Sequence, residues 1–271
     1  MHLHFVVKQS KLFKMADTII DTFIGIEASA DRTHPFTFAV LDQDLAVRAF
    51  GRGGIKDTFV FLAGQSNALT AVNSPMQTNK GLLTREEVRK RLSPRSQLGR
   101  WANLRLVELE LLERGIRVPR TPSSLKQSPR WMRLGFQLFE ELRKLGYATY
   151  PKPSAPKQVF ECQGEAAFWN LLGHVPLKEN TLEGCLQRQL VLQTAGLPVP
   201  DAMRFFEEIT RHHLLNSQLP VEHLYSAQEL NALVAAFTAW MIIHQPEKII
   251  KIGHESEGMI YLPDMTINEK Q

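Results

Sequence analysis

The sequence predicts an α/β protein in which a mixed sheet, an antiparallel meander followed by parallel strands, is flanked by helices. Three short runs rich in β-branched and apolar residues follow one another between residues 22 and 50. A fourth run ends just before Pro75, where a strand cannot continue. The rest of the chain has mostly helical periodicity, with one further strand-like run at 158–162. Strands grouped first and helices afterwards favour a sheet covered by helices.

The elements of the first third are separated by turn residues. Asp42, Gln43 and Asp44 form a tight polar connection, so the strands on either side of it are expected to pair as an antiparallel hairpin. We predict four strands and one helix here: strands 22–28, 36–41, 46–50 and 68–73, and a helix at 55–62.

The remaining elements are mainly helices. Thr84 with Glu87, and Ser226 with Glu229, have the spacing of a capping box, which marks a helix start. Three prolines in 117–129 predict an ordered loop or flap, and 150–156 a connector. We predict helices at 84–92, 101–114, 131–145, 165–172, 179–194, 201–213 and 227–243, a strand at 158–162, and edge strands at 249–252 and 259–262.

Composition limits the class of protein. The chain has 271 residues, 44% of them hydrophobic and 22% charged, which is ordinary for a protein that buries one core. No apolar stretch approaches the roughly 20 residues of a membrane helix, so we expect no membrane association. Two cysteines favour reduced thiols in the cytoplasm. We expect residues 1–15 to be an extended or disordered lead-in, and 16–271 a single domain with a helical insertion at about 80–150. The oligomeric state stays open.

Positive charge is concentrated in one part of the chain. Residues 80–133 contain 14 Lys or Arg and 5 Asp or Glu, a local net charge of +9, whereas the whole chain carries +4 and the remainder therefore −5. Such a block attracts polyanions such as nucleic acid. Arginine-rich helices also cover apolar surface with their side-chain stems, so charge alone does not decide between the two roles.

Three residues stand at predicted strand ends, where a metal-dependent active site of this architecture would lie. Glu27 follows an apolar strand, and Glu161 closes the late strand. Buried carboxylates are costly unless they are paired or bind a metal, although each glutamate could also face solvent at the sheet edge. Asn73 closes the fourth strand, where an Asn before Ser-Pro also favours a simple turn.

Each of the other candidate site residues also has a purely structural explanation. Arg105 and Glu108 are three residues apart on a predicted helix and can form a surface ion pair of little energetic value. Glu229 is explained by its capping box, and Glu165 by favourable charge at a helix start. The histidines lack metal-ligand spacing.

Together, these segments resemble the domain-of-unknown-function family 429, whose members are usually described as predicted nucleases of ribonuclease-H-like fold. The resemblance runs from about Thr22 to Leu262 and rests on the order of short motifs, none of them diagnostic alone: Gly25-Ile26-Glu27, Val72-Asn73-Ser74-Pro75, Arg105-Leu106-Val107-Glu108, Arg114-Gly115-Ile116, Phe160-Glu161-Cys162, Glu165-Ala166-Ala167-Phe168, Leu182-Glu183-Gly184 with Arg188, and Glu229-Leu230-Asn231-Ala232-Leu233. Compared with the family's pattern, Glu27 lengthens an acid by one methylene, and Asn73 and Asn231 replace acids by neutral amides.

The resemblance implies a nuclease dependent on Mg²⁺ or Mn²⁺. Glu27 and Glu161 would hold the metal, with Asn73, Arg105, Glu108 and Glu229 completing the catalytic set. Phosphates would be contacted by arginines of the basic block: Arg85, Arg89, Arg100 and Arg105.

Two alternatives remain. A catalytically degenerate scaffold on the same fold would bind nucleic acid or a protein without metal, as the two Asn replacements suggest. A nucleotide-binding phosphotransfer enzyme shares the strand order, but it needs a duplicated fold and a Gly/Thr-rich phosphate turn, whereas residues 28–32 lack glycine.

Overall fold

A computed structural model describes residues 20–91 and 101–264, and within it a mixed eight-stranded sheet is flanked by helices. The predicted lead-in at 1–15 lies outside these residues. The strands are β1 (Thr22–Ala28), β2 (Phe36–Leu41), β3 (Val47–Gly53), β4 (Ala68–Asn73), β5 (Ala148–Thr149), β6 (Lys157–Cys162), β7 (Ile249–His254) and β8 (Gly258–Pro263). Their order is β3-β2-β1-β4-β6-β8-β7, with β5 beside β6.

The predicted antiparallel meander followed by parallel strands is confirmed. β1, β2 and β3 pair antiparallel, whereas β4 runs parallel to β1, and β6 parallel to β4. The carboxyl ends of β1, β4 and β6 therefore meet at one edge of the sheet. The prediction of β8 as an edge strand was wrong, because β8 pairs with β6 on one side and β7 on the other.

Most of the predicted helices are present, but several begin or end at other residues than predicted. They are α1 (Ile55–Ala63), α2 (Glu86–Arg91), α3 (Leu106–Glu113), α4 (Arg130–Lys144), α5 (Gly164–Leu172), α6 (Leu182–Thr194), α7 (Arg204–Glu208), α8 (Arg211–Leu215) and α9 (Ala227–His244). The predicted helix at 101–114 starts late because residues 101–104 form a turn, in which the Leu104 N–H donates to the Trp101 carbonyl at 2.9 Å.

Two other helix starts and one uninterrupted helix were predicted wrongly. The Thr84 hydroxyl donates to the Gly81 carbonyl within a 3-10 turn, so no capping box forms there. Helix α6 begins only after Thr181, whose hydroxyl accepts the Gly184 N–H. The predicted helix at 201–213 is interrupted at Ile209, whose backbone is extended, and Thr210 caps the next helix.

Helix α9 is the central element of the core. Most of its 18 residues are buried, and it packs across β1, β2 and β4. Its close approach depends on Gly25 in β1, because a Cβ there would fall on the backbone of Ala232. The segment Val221–His244 is long and apolar enough to cross a membrane, but 72% of its apolar window is buried inside the protein, as expected of a core helix.

Candidate active site at the strand ends

The three predicted strand-end residues lie at one edge of the sheet but on two different faces. Glu27 is level with Asn73 in the β1–β4 register, and Asn73 is level with Cys162 in the β4–β6 register. Glu161 is one residue earlier on β6, and successive side chains of a strand alternate between faces. Glu27 and Asn73 therefore lie on the face covered by α9, whereas Glu161 lies on the opposite face.

A cavity of about 520 Å³ opens at this edge and joins the two groups. We call it the strand-end cavity. Five carboxylates and three cationic side chains line it, a formal charge of −2 if all are ionised. They are Glu27, Glu108, Glu161, Glu165, Glu179, Arg105, Arg117 and Lys178, and the amides of Asn73 and Asn231 lie among them.

Glu27 belongs to a cluster of two carboxylates and two amides. The Asn73 Nδ2 donates to the Glu27 carboxylate, and the Asn231 Nδ2 donates to Glu179 Oε2 at 3.3 Å. The Asn231 side chain also lies close enough to Glu27 to lower its pKa. Each amide therefore satisfies one carboxylate, and Asn231 lies near both. Glu179 was not among the predicted site residues, because the sequence places it at the start of a predicted helix; in the structure it lies in the loop before α6.

The electrostatic surroundings of Glu27 disfavour its charge. Burial raises its pKa to about 8, and the neighbouring Glu179 carboxylate also raises it, while the hydrogen bonds from Asn73 and Asn231 lower it. Without a cation, Glu27 is therefore mainly protonated at neutral pH. A cation placed between the two carboxylates would favour the ionised form.

Glycine at the start of α5 allows the amides to approach. A Cβ at Gly164 would lie 3.0 Å from Asn231 Oδ1 and 3.1 Å from Asn73 Nδ2. The Gly164 N–H instead donates to Asn73 Oδ1 at 2.9 Å, which orients the Asn73 amide with its nitrogen towards Glu27. The β6–α5 junction thus determines which atom of Asn73 faces the carboxylate.

Glu161 is engaged by a buried arginine. The Arg105 guanidinium donates to both Glu161 oxygens, at 2.6 and 2.9 Å, and its Nε donates to Glu108 at 3.1 Å. The Met76 N–H donates to Glu161 as well, at 2.9 Å. The prediction of Arg105 and Glu108 as a solvated surface pair was therefore wrong, because both side chains are less than 5% exposed.

Glu108 links α3 to the loop that was predicted at 117–129. Its carboxylate accepts the Thr121 N–H at 2.9 Å and the Arg105 N–H at 3.1 Å. This connection holds the rim of the strand-end cavity, where Arg117 is exposed.

Comparison with known proteins identifies a family. The family model described as protein of unknown function (DUF429) matches residues 38–255, most of the chain. The chain belongs to the DUF429 family. The match begins after β1, so Glu27 lies before it, while Asn73, Glu161, Glu179 and Asn231 lie within it. No curated protein matches the chain, and no solved structure does.

The remaining predicted residues of this DUF429 protein lie away from the cavity or outside the described residues. Glu229 does not line the cavity, because its carboxylate accepts the Ser226 N–H and hydroxyl in the predicted capping box. Arg85 is exposed and lines neither described cavity. The side chain of Arg89, and Arg100 as a whole, lie outside the described residues.

Arg188 is a second buried arginine that supports the site. It pairs with Glu165 at 2.7 Å and donates to the Leu177 carbonyl at 2.6 Å. The adjacent residues Lys178 and Glu179 line the strand-end cavity. Arg188 therefore connects the first turn of α5 to the loop that carries Glu179.

Proposed function

We propose that this DUF429 protein is a divalent-metal-dependent hydrolase of nucleic-acid phosphodiesters that uses one cation. The observation that carries the proposal is the pair of carboxylates, Glu27 and Glu179, beside the amides of Asn73 and Asn231 in a cavity at the ends of parallel strands. Ligands in open α/β sheets bind at the carboxyl ends of strands, and this cavity lies there.

The donor set fits Mg²⁺ or Mn²⁺. Both ions take oxygen ligands and keep several waters, so the two carboxylates are a sufficient protein contribution. The raised pKa of Glu27 means that this carboxyl group lacks a compensating positive charge, which a cation would provide.

The Arg105–Glu161 ion pair limits the proposed site to one cation and changes its ligands. Both oxygens of Glu161 accept hydrogen bonds from Arg105. A metal on Glu161 would have to displace a buried guanidinium and leave it without its partner, which is strongly unfavourable. We therefore propose Glu27 and Glu179 as the metal ligands, in place of Glu27 and Glu161.

When bound, the cation would polarise the phosphoryl group and lower the pKa of a bound water. The protein's own side chains would position the metal ligands and the phosphodiester. Asn73 and Asn231 orient the two carboxylates, and Lys178 and Arg117 at the cavity rim supply positive charge for the phosphodiester. Arg105 holds Glu161 and α3 in place as a positioning residue.

The test is cleavage of labelled RNA and DNA, single-stranded and duplex, with Mg²⁺, with Mn²⁺ and with EDTA. We expect metal-dependent cleavage that falls at least 100-fold in Glu27→Gln and in Glu179→Gln. The matched control is Glu247→Gln, because Glu247 is an exposed glutamate that does not line the cavity. Cleavage by the wild-type protein no faster than by Glu27→Gln would overturn the proposal.

A second candidate function is a non-catalytic scaffold that binds nucleic acid. The observation in its favour is that the Asn73–Glu27 and Asn231–Glu179 hydrogen bonds satisfy the cluster without a cation. This candidate predicts nucleic-acid retention that is the same with EDTA and with Mg²⁺, no cleavage, and no calorimetric signal on titration with Mn²⁺. Stoichiometric Mn²⁺ binding that is lost in Glu27→Gln would exclude it.

A further inference from the structure

A second cavity adjoins the strand-end cavity and has a different character. It measures about 350 Å³ and is lined by Trp101, Arg117 and Arg120 together with apolar side chains. We call it the arginine–tryptophan cavity. The two cavities share Arg117, Val118 and Glu108 in their walls, so they lie side by side.

Each cavity has an indole in its wall. Trp131, the second residue of α4, is partly exposed and lines the strand-end cavity, and Trp101, also partly exposed, lies before α3 in the arginine–tryptophan cavity. The Arg120 guanidinium lies over the Trp101 ring, 6.0 Å from its centroid. Aromatic rings and guanidinium planes are the surfaces on which unpaired nucleobases stack.

The charges of the two cavities are opposite. With Glu27 protonated, the strand-end cavity has a formal charge of −1, whereas the second cavity contains Arg117 and Arg120 against the single carboxylate of Glu108, a formal +1; Arg117 and Glu108 line both cavities. The Glu108 carboxylate is already engaged by Arg105. Without a cation, a phosphate is therefore favoured in the arginine–tryptophan cavity over the strand-end cavity.

We propose that single-stranded nucleic acid binds across both cavities, with one base against Trp131, the next base against Trp101, and the backbone phosphate between them at Arg117 and Arg120. This inference rests on the proposed nuclease function and names its substrate class. A duplex cannot bind in this way, because its bases are stacked on each other and their faces cannot reach the indoles.

The test is fluorescence anisotropy with labelled ten-nucleotide oligo(U) and oligo(dT), and with a duplex of the same length, in EDTA at low salt. We expect Trp101→Ala to weaken single-strand binding about 5- to 150-fold, the range for loss of one stacked base, and Trp101→Phe to retain most of it. Arg120→Gln is expected to weaken binding and to reduce its salt dependence. The control is Arg143→Gln, an exposed arginine of α4 that lines neither cavity.

The outcomes separate this inference from the proposed hydrolysis. The proposed binding mode is supported if Trp101→Ala and Arg120→Gln bind single strands more weakly and Arg143→Gln binds as wild type does. The circular dichroism melt of Arg120→Gln should also match that of wild type. This holds whether or not the oligonucleotide is cleaved. Equal affinity of wild type, Arg120→Gln and Arg143→Gln would overturn it, as would tighter binding of the duplex. Absence of cleavage with Mg²⁺ despite such binding counts against the hydrolase alone.

Discussion

Replacing Glu27 by Gln is expected to change how the stability of the protein depends on pH. In the folded protein the pKa of Glu27 is raised from 4.5 to about 8, chiefly by burial. Below pH 4.5 this carboxyl group is protonated in both the folded and the unfolded chain, so it contributes no pH dependence. Between pH 4.5 and 8 only the unfolded chain releases the proton, and the free energy of unfolding therefore falls as pH rises.

The size of the effect follows from the two pKa values. One proton held only by the folded state corresponds to a slope of about 1.4 kcal/mol per pH unit, and integration between pH 5 and pH 7 gives a loss of about 2.5 kcal/mol. Glutamine cannot ionise and resembles the protonated glutamic acid in size. The variant should therefore gain about 2.5 kcal/mol relative to wild type over this interval.

Urea denaturation of wild type and Glu27→Gln, followed by circular dichroism in EDTA at half-unit steps from pH 5 to 8, measures this difference. Glu247→Gln is the control, since Glu247 is exposed. Parallel stability curves for wild type and Glu27→Gln would show that the folded protein does not raise the pKa of Glu27, and would refute the reasoning. In the proposed metal site, Mg²⁺ at pH 8 should stabilise wild type more than the variant.

Two substitutions test the packing that builds the site. Arg105→Met should destabilise the protein by about 3–5 kcal/mol in urea denaturation, because it leaves the buried carboxylate of Glu161 without its partner; a loss below about 1 kcal/mol would contradict the buried network. Gly25→Ala should cost at least about 2 kcal/mol and lower the melting temperature, because its Cβ would meet the backbone of α9. Gly64→Ala, at the end of α1 with room for a Cβ, is the matched control and should leave the melting temperature nearly unchanged.

Most of the sheet was predictable because its signals are local. The limits of β1, β2 and β4 agree with the prediction, since each is a short apolar run bounded by polar or turn residues. The predicted capping box of Ser226 and Glu229 is also confirmed, because both residues lie within one turn of a helix. Thr84 shows the limit of such signals, since its hydroxyl bonds Gly81 instead.

The candidate site was less predictable because its contacts join distant segments. Arg105 and Glu108 have the spacing of a surface ion pair, and only the contact with Glu161, 56 residues beyond Arg105, shows that the pair is buried. Glu179 was predicted to begin a helix, and it becomes relevant only because the fold brings it beside Glu27 and hydrogen-bonds it to Asn231 of α9.

The sequence by itself determined the α/β class, the position of strand ends and the family, because alternation, helical periodicity and turn residues act over a few residues. Only the tertiary structure decided which strand-end carboxylates lie together. A shift of one residue along a strand moves a side chain to the other face, and this separates Glu161 from Glu27. The charge on Glu27 is likewise a tertiary property, since it depends on burial and on a glutamate 152 positions away in the chain.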